Sequence, residues 1–188
     1  MLILLDERFH ARRTSPRTAA PIIYCRAVAR ILIIAGGARA RALAGELVDE
    51  GHAVRITTRT EAGRAAIEAV GAQCWIGTPD RIASLRYALE SVTLACWLLA
   101  TACGDPEHVA PLHGSRLEFF VHQTIDTTVR GLIYEAAGCV DAETLAAGRE
   151  LIVAKAAYNE IPLRVLDADP ADLAAWRIQA REAIAALL

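Results

Sequence analysis

Lysine is almost absent from this chain of 188 residues: it occurs once, as Lys155, and arginine supplies the rest of the 20 basic residues. The chain also lacks an excess of either charge, since 22 acidic residues leave a net charge of −2. A nucleic-acid-binding protein usually carries a basic excess, so this balance disfavours nucleic acid as a partner. No apolar run approaches the roughly 18–20 residues that cross a bilayer, and we therefore expect no membrane partner.

Paired cysteines are missing as well. The cysteines are odd in number and include no C-x-x-C pair: Cys25, Cys74, Cys96, Cys103 and Cys139. This usage is typical of buried, reduced thiols and predicts a cytoplasmic protein. His108 and His113 lie without a set of further ligands around them in the sequence, so we expect no metal site.

The chain does have a large apolar fraction, with 54% hydrophobic against 22% charged residues, which is enough for a buried core. Its length fits one domain, which we place at residues 30–188. Residues 1–29 mix Arg, Ser, Thr and Pro without a helical or strand period, and we predict a flexible N-terminal arm there. Two alternatives are a targeting peptide, which Asp6 and Glu7 disfavour, and a start assigned too early, with the native protein beginning near Val28.

Short apolar runs alternate with helical patterns from Arg30 onward. Strands are predicted at residues 31–35, 53–57, 73–76, 92–100, 129–135 and 162–166. Helices are predicted up to Gly51, at 60–70, 78–89, 115–127 and 141–159, and after a cap at Asp169. This alternation indicates an α/β fold, a doubly wound, Rossmann-like sheet of six parallel strands with helices on both faces. Such sheets bind ligands at the carboxyl ends of their strands.

The turn after the first strand carries glycines. It reads Ala-Gly-Gly-Ala-Arg-Ala-Arg at residues 35–41, and the helix length places the three positions of a G-x-G-x-x-G motif on Ala35, Gly37 and Ala40. Only the middle glycine is present, with Gly36 beside it. Glycines here permit the turn, the approach of a pyrophosphate to backbone N–H groups and close packing of helix on strand. The turn therefore predicts a dinucleotide site; the alternative is a doubly wound protein that binds nothing there.

Basic residues lie at the end of the second predicted strand and in the glycine turn, the positions that distinguish NADP(H) from NAD(H). An acidic residue about 20 positions after the glycines would hold the ribose 2′-hydroxyl of NAD. This chain has Arg59 there, between Thr58 and Thr60, and Arg39 lies in the glycine turn. Guanidinium groups pair with a 2′-phosphate and gain nothing from a hydroxyl. The pattern favours NADP(H) over NAD(H), unless both arginines are merely solvated surface.

Several stretches together resemble a known family. They are IIAGGARARALAGELVDEGHAV at residues 33–54, TTR at 57–59 and GAQCWIGTPDRIASLRYALESVTLACWLL at 71–99, and more faintly VRGLIYEAAG at 129–138 and IPLRVLDADP at 161–170. These stretches are similar to extended and atypical short-chain dehydrogenase/reductases, including the NmrA-like and NAD-dependent epimerase-like groups. The resemblance implies an NAD(P)-binding Rossmann fold.

The resemblance also implies a set of cofactor-binding positions. They are Gly36, Gly37, Ala38, Arg39, Thr58, Arg59, Thr78, Ala100 and Thr101. The first three would lie under the pyrophosphate and the next three beside the adenosine 2′ position. Thr78 would lie near the adenine, where the family often has an Asp, and the last two would lie near the nicotinamide ribose.

The catalytic half departs from the family. In the family, the usual proton donor is a Tyr four residues before a Lys, and that Lys lowers the pKa of the Tyr. Here the single lysine, Lys155, has Leu151 at that distance, so the pair does not exist. The serine that usually ends the fifth strand is also absent. Tyr134 and Glu135 stand in its place, and we keep both as candidate catalytic residues.

Three functions remain open. The leading hypothesis is an NADP(H)-binding, short-chain-dehydrogenase-like protein without catalysis, acting as a sensor or binding module. The first alternative is an enzyme, a small NADPH-dependent reductase of a flavin, quinone or carbonyl acceptor. The second is an interaction protein that kept the fold without a ligand. The resemblance further implies a homodimer that pairs through the long helices before the fifth and sixth strands.

Overall fold

Six strands form a single sheet in the computed structural model, which describes residues 28–188; the predicted arm lies outside the described residues except for its last two positions. The strands are β1 (Arg30–Ile34), β2 (Ala53–Thr58), β3 (Gln73–Ile76), β4 (Leu94–Trp97), β5 (Gly131–Glu135) and β6 (Leu163–Leu166). All neighbouring pairs are parallel, in the order β3-β2-β1-β4-β5-β6. The order reverses between β1 and β4, which is where a doubly wound sheet opens its ligand crevice.

Helices cover both faces of this sheet. They are α1 (Ala38–Asp49), α2 (Arg64–Glu68), α3 (Pro106–His113), α4 (Ser115–Thr124), α5 (Ala142–Tyr158) and α6 (Leu173–Ala185), with short 3-10 segments at Glu61–Gly63, Ile82–Leu85 and Tyr87–Leu89. The predicted fold class, a doubly wound sheet of six parallel strands with helices on both faces, is confirmed.

The sheet separates two apolar cores. Ile31 and Ile33 of β1 pack with α1 and α6, whereas Leu32 and Ile34 pack on the other face with α4 and α5. This division follows from the strand itself, because successive side chains point to opposite faces. Strands β4 and β5 are buried at every position, as central parallel strands covered on both faces should be.

The helix predicted at residues 78–89 is wrong. That segment forms a tight turn followed by two 3-10 segments. Its carbonyl groups accept side-chain donors from the sheet: Trp75 Nε1 donates to the carbonyl of Ser84 at 2.8 Å, and the buried Arg55 guanidinium donates to the carbonyl of Ala88. Tertiary contacts of this kind override the local preference for a helix.

Two helix starts also differ from the prediction. Helix α3 was not predicted, although Asp105 followed by Pro106 is a standard pattern for a helix start. Helix α6 begins later than expected, because Asp172 rather than Asp169 accepts a backbone N–H of its first turn. The predicted cap of α5 is confirmed: the Asp141 carboxylate accepts a backbone N–H at 3.0 Å.

The cysteines divide into two kinds. Cys74 and Cys96 are buried, and burial raises the pKa of Cys96 to about 12, so its thiol is unreactive at neutral pH. Cys103 and Cys139 are exposed in the loops that follow β4 and β5. The expectation of buried thiols is therefore wrong for these two, and Cys25 lies outside the described residues. Between residues 28 and 188, no helix is long and apolar enough to cross a membrane.

Candidate functional site

The glycine turn lies between β1 and α1, at the point where the strand order reverses. Gly36, Gly37 and Ala38 are exposed, and Gly37 is the N-cap of α1 without a side-chain hydrogen bond. A Cβ added to Gly37 would meet no heavy atom within 4 Å, so the space above the turn is open. The first N–H groups of a helix and the positive end of its dipole favour a phosphate at such a place.

Gly36 brings this turn against the end of β2. A Cβ at Gly36 would lie 3.2 Å from the carbonyl oxygen of Thr57 and 3.8 Å from the Cα of Thr58. A larger residue would therefore push the turn away from β2. Arg41 holds the turn in place, because its Nη1 donates to the carbonyl of Gly36 at 2.6 Å.

Arg59 follows directly on β2 and is exposed. Within residues 28–188 its guanidinium has no hydrogen-bond or ion-pair partner. The nearby Arg64 differs, since Glu61 and Glu68 both bind it. At the β2 side of the turn, Arg59 is thus a cation available to an anionic ligand, next to the Thr58 hydroxyl, which donates to a backbone carbonyl at 3.3 Å.

Arg39 does not lie with Arg59 at the end of β2, where the resemblance implies the adenosine 2′ position. The side chain crosses from α1 to the far half of the crevice, where Nη2 lies 2.8 Å from Glu135 Oε1 and 2.9 Å from Thr101 Oγ1. Its guanidinium carbon stands 4.4 Å from the ring centre of Trp176, a cation–π contact. A buried carboxylate and an aromatic face draw the guanidinium away from β2.

Glu135 anchors Arg39 from the end of β5. Its carboxylate is fully buried and accepts three N–H donors: Arg39, the Trp176 indole at 2.7 Å and the Ala100 backbone at 3.0 Å. Burial raises the pKa of Glu135 above its usual value, while the Arg39 guanidinium and the two N–H donors act in the opposite direction. With all three donors in place, its oxygens are used within the protein and contact no open volume.

Arg39 also carries an unmet donor. Its Nη1 is buried and makes no hydrogen bond within the described residues. A buried donor left without a partner costs about 1–3 kcal/mol. The ion pair with Glu135 and the stacking on Trp176 must outweigh that cost, since the side chain lies there with only 15% of its surface exposed.

Tyr134, the other candidate catalytic residue, points to the opposite face of the sheet and is fully buried. Its hydroxyl lies 2.8 Å from His113 Nδ1 and 3.4 Å from the carbonyl of Leu145. His113 Nε2 faces the carbonyl of Leu99 at 3.4 Å, and the tautomer of His113 sets which partner donates in the bond to Tyr134. Burial raises the pKa of Tyr134 and lowers that of His113. The Tyr134 hydroxyl therefore makes its hydrogen bonds inside the core.

The polar atoms of Thr78 form hydrogen bonds within the turn that contains it. Thr78 is buried, its hydroxyl bonds to Asp80 at 3.0 Å, and its backbone N–H donates to Ser84 Oγ at 2.9 Å. Asp80 in turn pairs with Arg116 at 2.5 Å. The structure therefore places Thr78 at the carboxyl edge of the sheet, but with its polar atoms satisfied by neighbours.

Ala100 and Thr101 lie past the end of β4, on the far half of the crevice, as expected. Ala100 is fully buried and its backbone N–H donates to the Glu135 carboxylate. The Thr101 hydroxyl oxygen accepts a hydrogen bond from Arg39 Nη2. The β5 loop packs tightly on Ala100, because a Cβ at Gly138 would overlap its carbonyl oxygen. Glycine is required there by that close approach.

Two clefts open at this edge. The smaller, about 180 Å³, runs along the glycine turn beneath Arg39 and is lined by Ala35, Gly37, Ala38, Arg39, Ala40, Leu98, Thr101 and Trp176. The larger, about 340 Å³, lies where the β5 loop meets α5 and is lined by Ala136, Ala137, Gly138, Val140, Ala142, Leu145, Ala146 and Arg149. In residues 28–188 no three His, Cys, Asp or Glu side chains group as metal ligands.

A dinucleotide would place one nucleotide on each side of the crevice, so we compare each side with the nucleotide it would hold. The half at β1 and β2 fits a diphosphate, because the turn is open, its helix start is uncapped and Arg59 is unpaired. The half at β4 and β5 does not fit a nicotinamide while Arg39 lies across it. The cleft of about 180 Å³, which the glycine turn shares with Leu98 and Thr101, is smaller than the roughly 300–1,000 Å³ typical of ligand pockets, whereas the cleft of about 340 Å³ at the β5 loop lies within that range.

Reasoning from the sequence missed the roles of two residues near this edge, Trp176 and His113. Trp176 was assigned to the last helix only as an apolar residue, yet it holds both Arg39 and Glu135. His113 was considered only as a metal ligand. The single signal that could have indicated the cluster is a Glu at the end of a strand buried on both faces, which needs a cation nearby.

Comparison with known proteins identifies the fold but no relative in sequence. No protein-family model and no curated protein matches the chain. Among solved structures it is similar to UDP-glucose 4-epimerase from Thermotoga maritima, with 12% identity and a TM-score of 0.61 over 72% of this chain and 54% of that one. It is also similar to Citrobacter triphenylmethane reductase complexed with NADP(H), with 16% identity and a TM-score of 0.56 over 72% and 48%.

A third similar structure is UDP-glucuronic acid 4-epimerase from Bacillus cereus in complex with NAD, with 12% identity and a TM-score of 0.59 over 72% of this chain and 54% of that one. The chain thus spans about half the length of the structures it matches. Together with the strand order, these matches confirm a Rossmann-like fold of the kind found in those NAD- and NADP(H)-bound structures.

Proposed function

We propose that this chain binds NADP(H) and does not catalyse a reaction with it. The observation that carries the proposal is the open glycine turn at the start of α1, with the unpaired Arg59 beside it. Helix N–H groups take a diphosphate, and a guanidinium takes a phosphate. Structures with the same fold hold NAD or NADP(H), which supports a nicotinamide dinucleotide as the class of ligand.

The choice of NADP(H) over NAD(H) rests on Arg59. An exposed guanidinium gains little from a ribose hydroxyl but pairs with a 2′-phosphate. The turn at Gly36 lies close to the end of β2, since a Cβ added there would be 3.2 Å from the carbonyl oxygen of Thr57. This proximity supports a ligand that reaches from the turn to Arg59.

The absence of catalysis is supported by where the chemistry-bearing residues lie. Lys155, the single lysine, pairs with Glu118 on the outer side of α4 and α5 at 2.6 Å. Tyr134 hydrogen-bonds inside the core, and Glu135 gives all its acceptors to the protein. No proton donor among them faces the crevice, and general acid catalysis requires one within reach of the substrate.

The experiment is a calorimetric titration of NADPH into wild type and Arg59→Glu. We expect the substitution to weaken NADPH binding by about tenfold or more, because it replaces a phosphate partner by a like charge. NADH binding should change far less. Arg130→Glu is the matched control, since Arg130 is an exposed arginine that precedes β5 at the opposite edge of the sheet. Equal effects of the two substitutions would reject this assignment of Arg59.

A reductase is the second candidate, favoured by the cleft of about 340 Å³ at the β5 loop, whose alanine-rich lining suits an apolar acceptor. NADPH oxidation measured with a panel of flavins, quinones and carbonyl compounds separates the two. The proposal expects binding without turnover, and sustained turnover would replace it. If neither NADPH nor NADH binds, the remaining reading is an interaction protein that kept the fold.

A homodimer remains a proposal. Helices α4 and α5 expose apolar side chains, namely Phe119, Val153 and Tyr158. Exposed apolar residues on neighbouring helices support an interface there. We likewise retain residues 30–188 as one domain and cytoplasmic localisation as expectations.

A further inference from the structure

We propose that Arg39 closes the nicotinamide half of the crevice, so that the chain holds NADP(H) by its 2′-phosphoadenosine diphosphate half alone. The inference rests on the proposed function and extends it in one respect. A protein that makes no contact with the nicotinamide cannot tell NADP⁺ from NADPH. The chain would then be a binding module for phosphorylated adenine nucleotides and not a sensor of redox state.

The first step is the position of the guanidinium. A dinucleotide on a doubly wound sheet crosses the point of strand-order reversal, with one nucleotide on each side. Arg39 begins at the first turn of α1 on that boundary and reaches Thr101 after β4 and Glu135 at the end of β5. Its charged head therefore lies on the side that the second nucleotide needs.

The second step is the strength of the anchor. Glu135 is fully buried, so removal of Arg39 would leave a carboxylate in the core without its cation. Trp176 supports the guanidinium from beneath at 4.4 Å and donates to the same carboxylate at 2.7 Å. Three elements, α1, β5 and α6, are tied together through this cluster.

The third step is the reason why the Arg39 guanidinium lies over the ends of β4 and β5. The first turn of α1 has no acidic residue, and a positive charge near a helix start is unfavourable. Local sequence therefore does not favour Arg39 at this place, and the partner across the crevice must hold it. The adenosine side stays open meanwhile, because Gly36, Gly37 and Ala38 remain exposed.

The test on wild type is a set of calorimetric titrations with NADP⁺, NADPH and 2′-phosphoadenosine 5′-diphosphoribose, which lacks the nicotinamide. We expect the three dissociation constants to agree within about threefold. A dissociation constant for NADPH about tenfold or more below that of the fragment would overturn the inference while leaving the proposed function in place.

The second test uses variants. Arg39→Ala should open the far half, so that NADP⁺ or NADPH gains about tenfold in affinity while the fragment is unchanged. Arg39→Lys keeps a cation for Glu135 with a smaller head group, and it should show the same gain in part if Arg39→Ala does not fold. Arg149→Ala is the control, because Arg149 is a half-exposed arginine paired with Asp167 at 2.6 Å beside the other cleft.

Each remaining outcome decides a different point. Variants that fold and bind NADPH no better than wild type reject the closure by Arg39, even where the wild-type constants agree. Binding by Arg39→Ala but not by wild type would overturn the inference, because the wild-type chain would then not hold the adenosine half. No binding of any of the three compounds to any folded variant rejects both the closure and the proposed function.

Discussion

Glu135 and Arg39 connect the chemistry of the crevice to the stability of the molecule. The carboxylate is fully buried and the guanidinium is mostly so, and both were read from the sequence as residues that face a ligand. Buried ion pairs add little to the free energy of unfolding, but removal of one partner leaves the other charge buried and unpaired.

Glu135→Ala should therefore destabilise the fold strongly. It leaves the Arg39 cation and the Trp176 indole without their acceptor, and we expect a loss of about 3–5 kcal/mol in the free energy of unfolding. Glu118→Ala is the control, because the Glu118–Lys155 pair is about half exposed and worth at most about 1 kcal/mol. Urea denaturation measures both; similar losses for the two variants would contradict the buried cluster.

Gly37 supplies the sharpest residue-level test of the open turn. Its φ of −72° and ψ of 170° suit any residue, and an added Cβ meets no neighbour within 4 Å. Gly37→Ala should thus fold normally, yet its methyl group would stand where a diphosphate must approach the backbone. We expect at least about a tenfold loss of NADPH affinity.

The matched substitution is Gly45→Ala, which lies inside α1 with its added Cβ at 3.7 Å from Val70, an ordinary contact. It should leave NADPH affinity unchanged and stabilise α1 by about 0.5–1 kcal/mol, since glycine is a poor helix former. Unchanged binding by Gly37→Ala would show that the ligand does not lie on this turn.

At the level of elements, the strands were predicted far better than the segments between them. All six strands were located. The central strands β4 and β5 are buried at every position and depend on local apolar runs, whereas β3 and β6 are only partly buried and were located by their place in the strand–helix alternation. The 78–89 segment was misread as a helix, because Trp75 and Arg55 take its carbonyl groups from another part of the fold. The glycine turn could likewise be predicted, whereas the direction of Arg39 depends on Glu135 and Trp176, which are remote in sequence.

The contact between α3 and β5 predicts a pH dependence. His113 at the end of α3 is buried against Tyr134, and burial lowers its pKa below the usual 6.5. The folded protein thus binds fewer protons than the unfolded chain at acidic pH. The stabilising contribution is complete above about pH 6.5 and is lost as the pH falls from there through the folded pKa.

We expect the free energy of unfolding to fall by up to about 1.4 kcal/mol per pH unit in that window from this group alone. Urea denaturation at several pH values between neutrality and pH 5 would measure it. The comparison is with His113→Gln, which cannot titrate and should lose less stability on acidification. Parallel pH profiles for the two proteins would show that His113 does not carry the effect.

For the molecule as a whole, the sequence predicts the fold more directly than it predicts the function. The strand order and the matches to solved structures establish a Rossmann-like architecture, over about half the length of those structures. The glycine turn at β1 and β2 is open, whereas Arg39 and its partners Glu135 and Thr101 lie across the ends of β4 and β5. That asymmetry supports our proposal of a binding protein and not an enzyme of hydride transfer.

The most direct test is the melting temperature of the wild-type chain with NADPH and with NADH at equal concentration. A ligand at a hundred times its dissociation constant stabilises by about 2.7 kcal/mol. For a protein of this size that raises the melting temperature by about 5–10 °C. We predict this rise with NADPH and half of it or less with NADH. Equal rises would contradict the role of Arg59, and no rise with either compound would contradict the binding of a dinucleotide at the glycine turn.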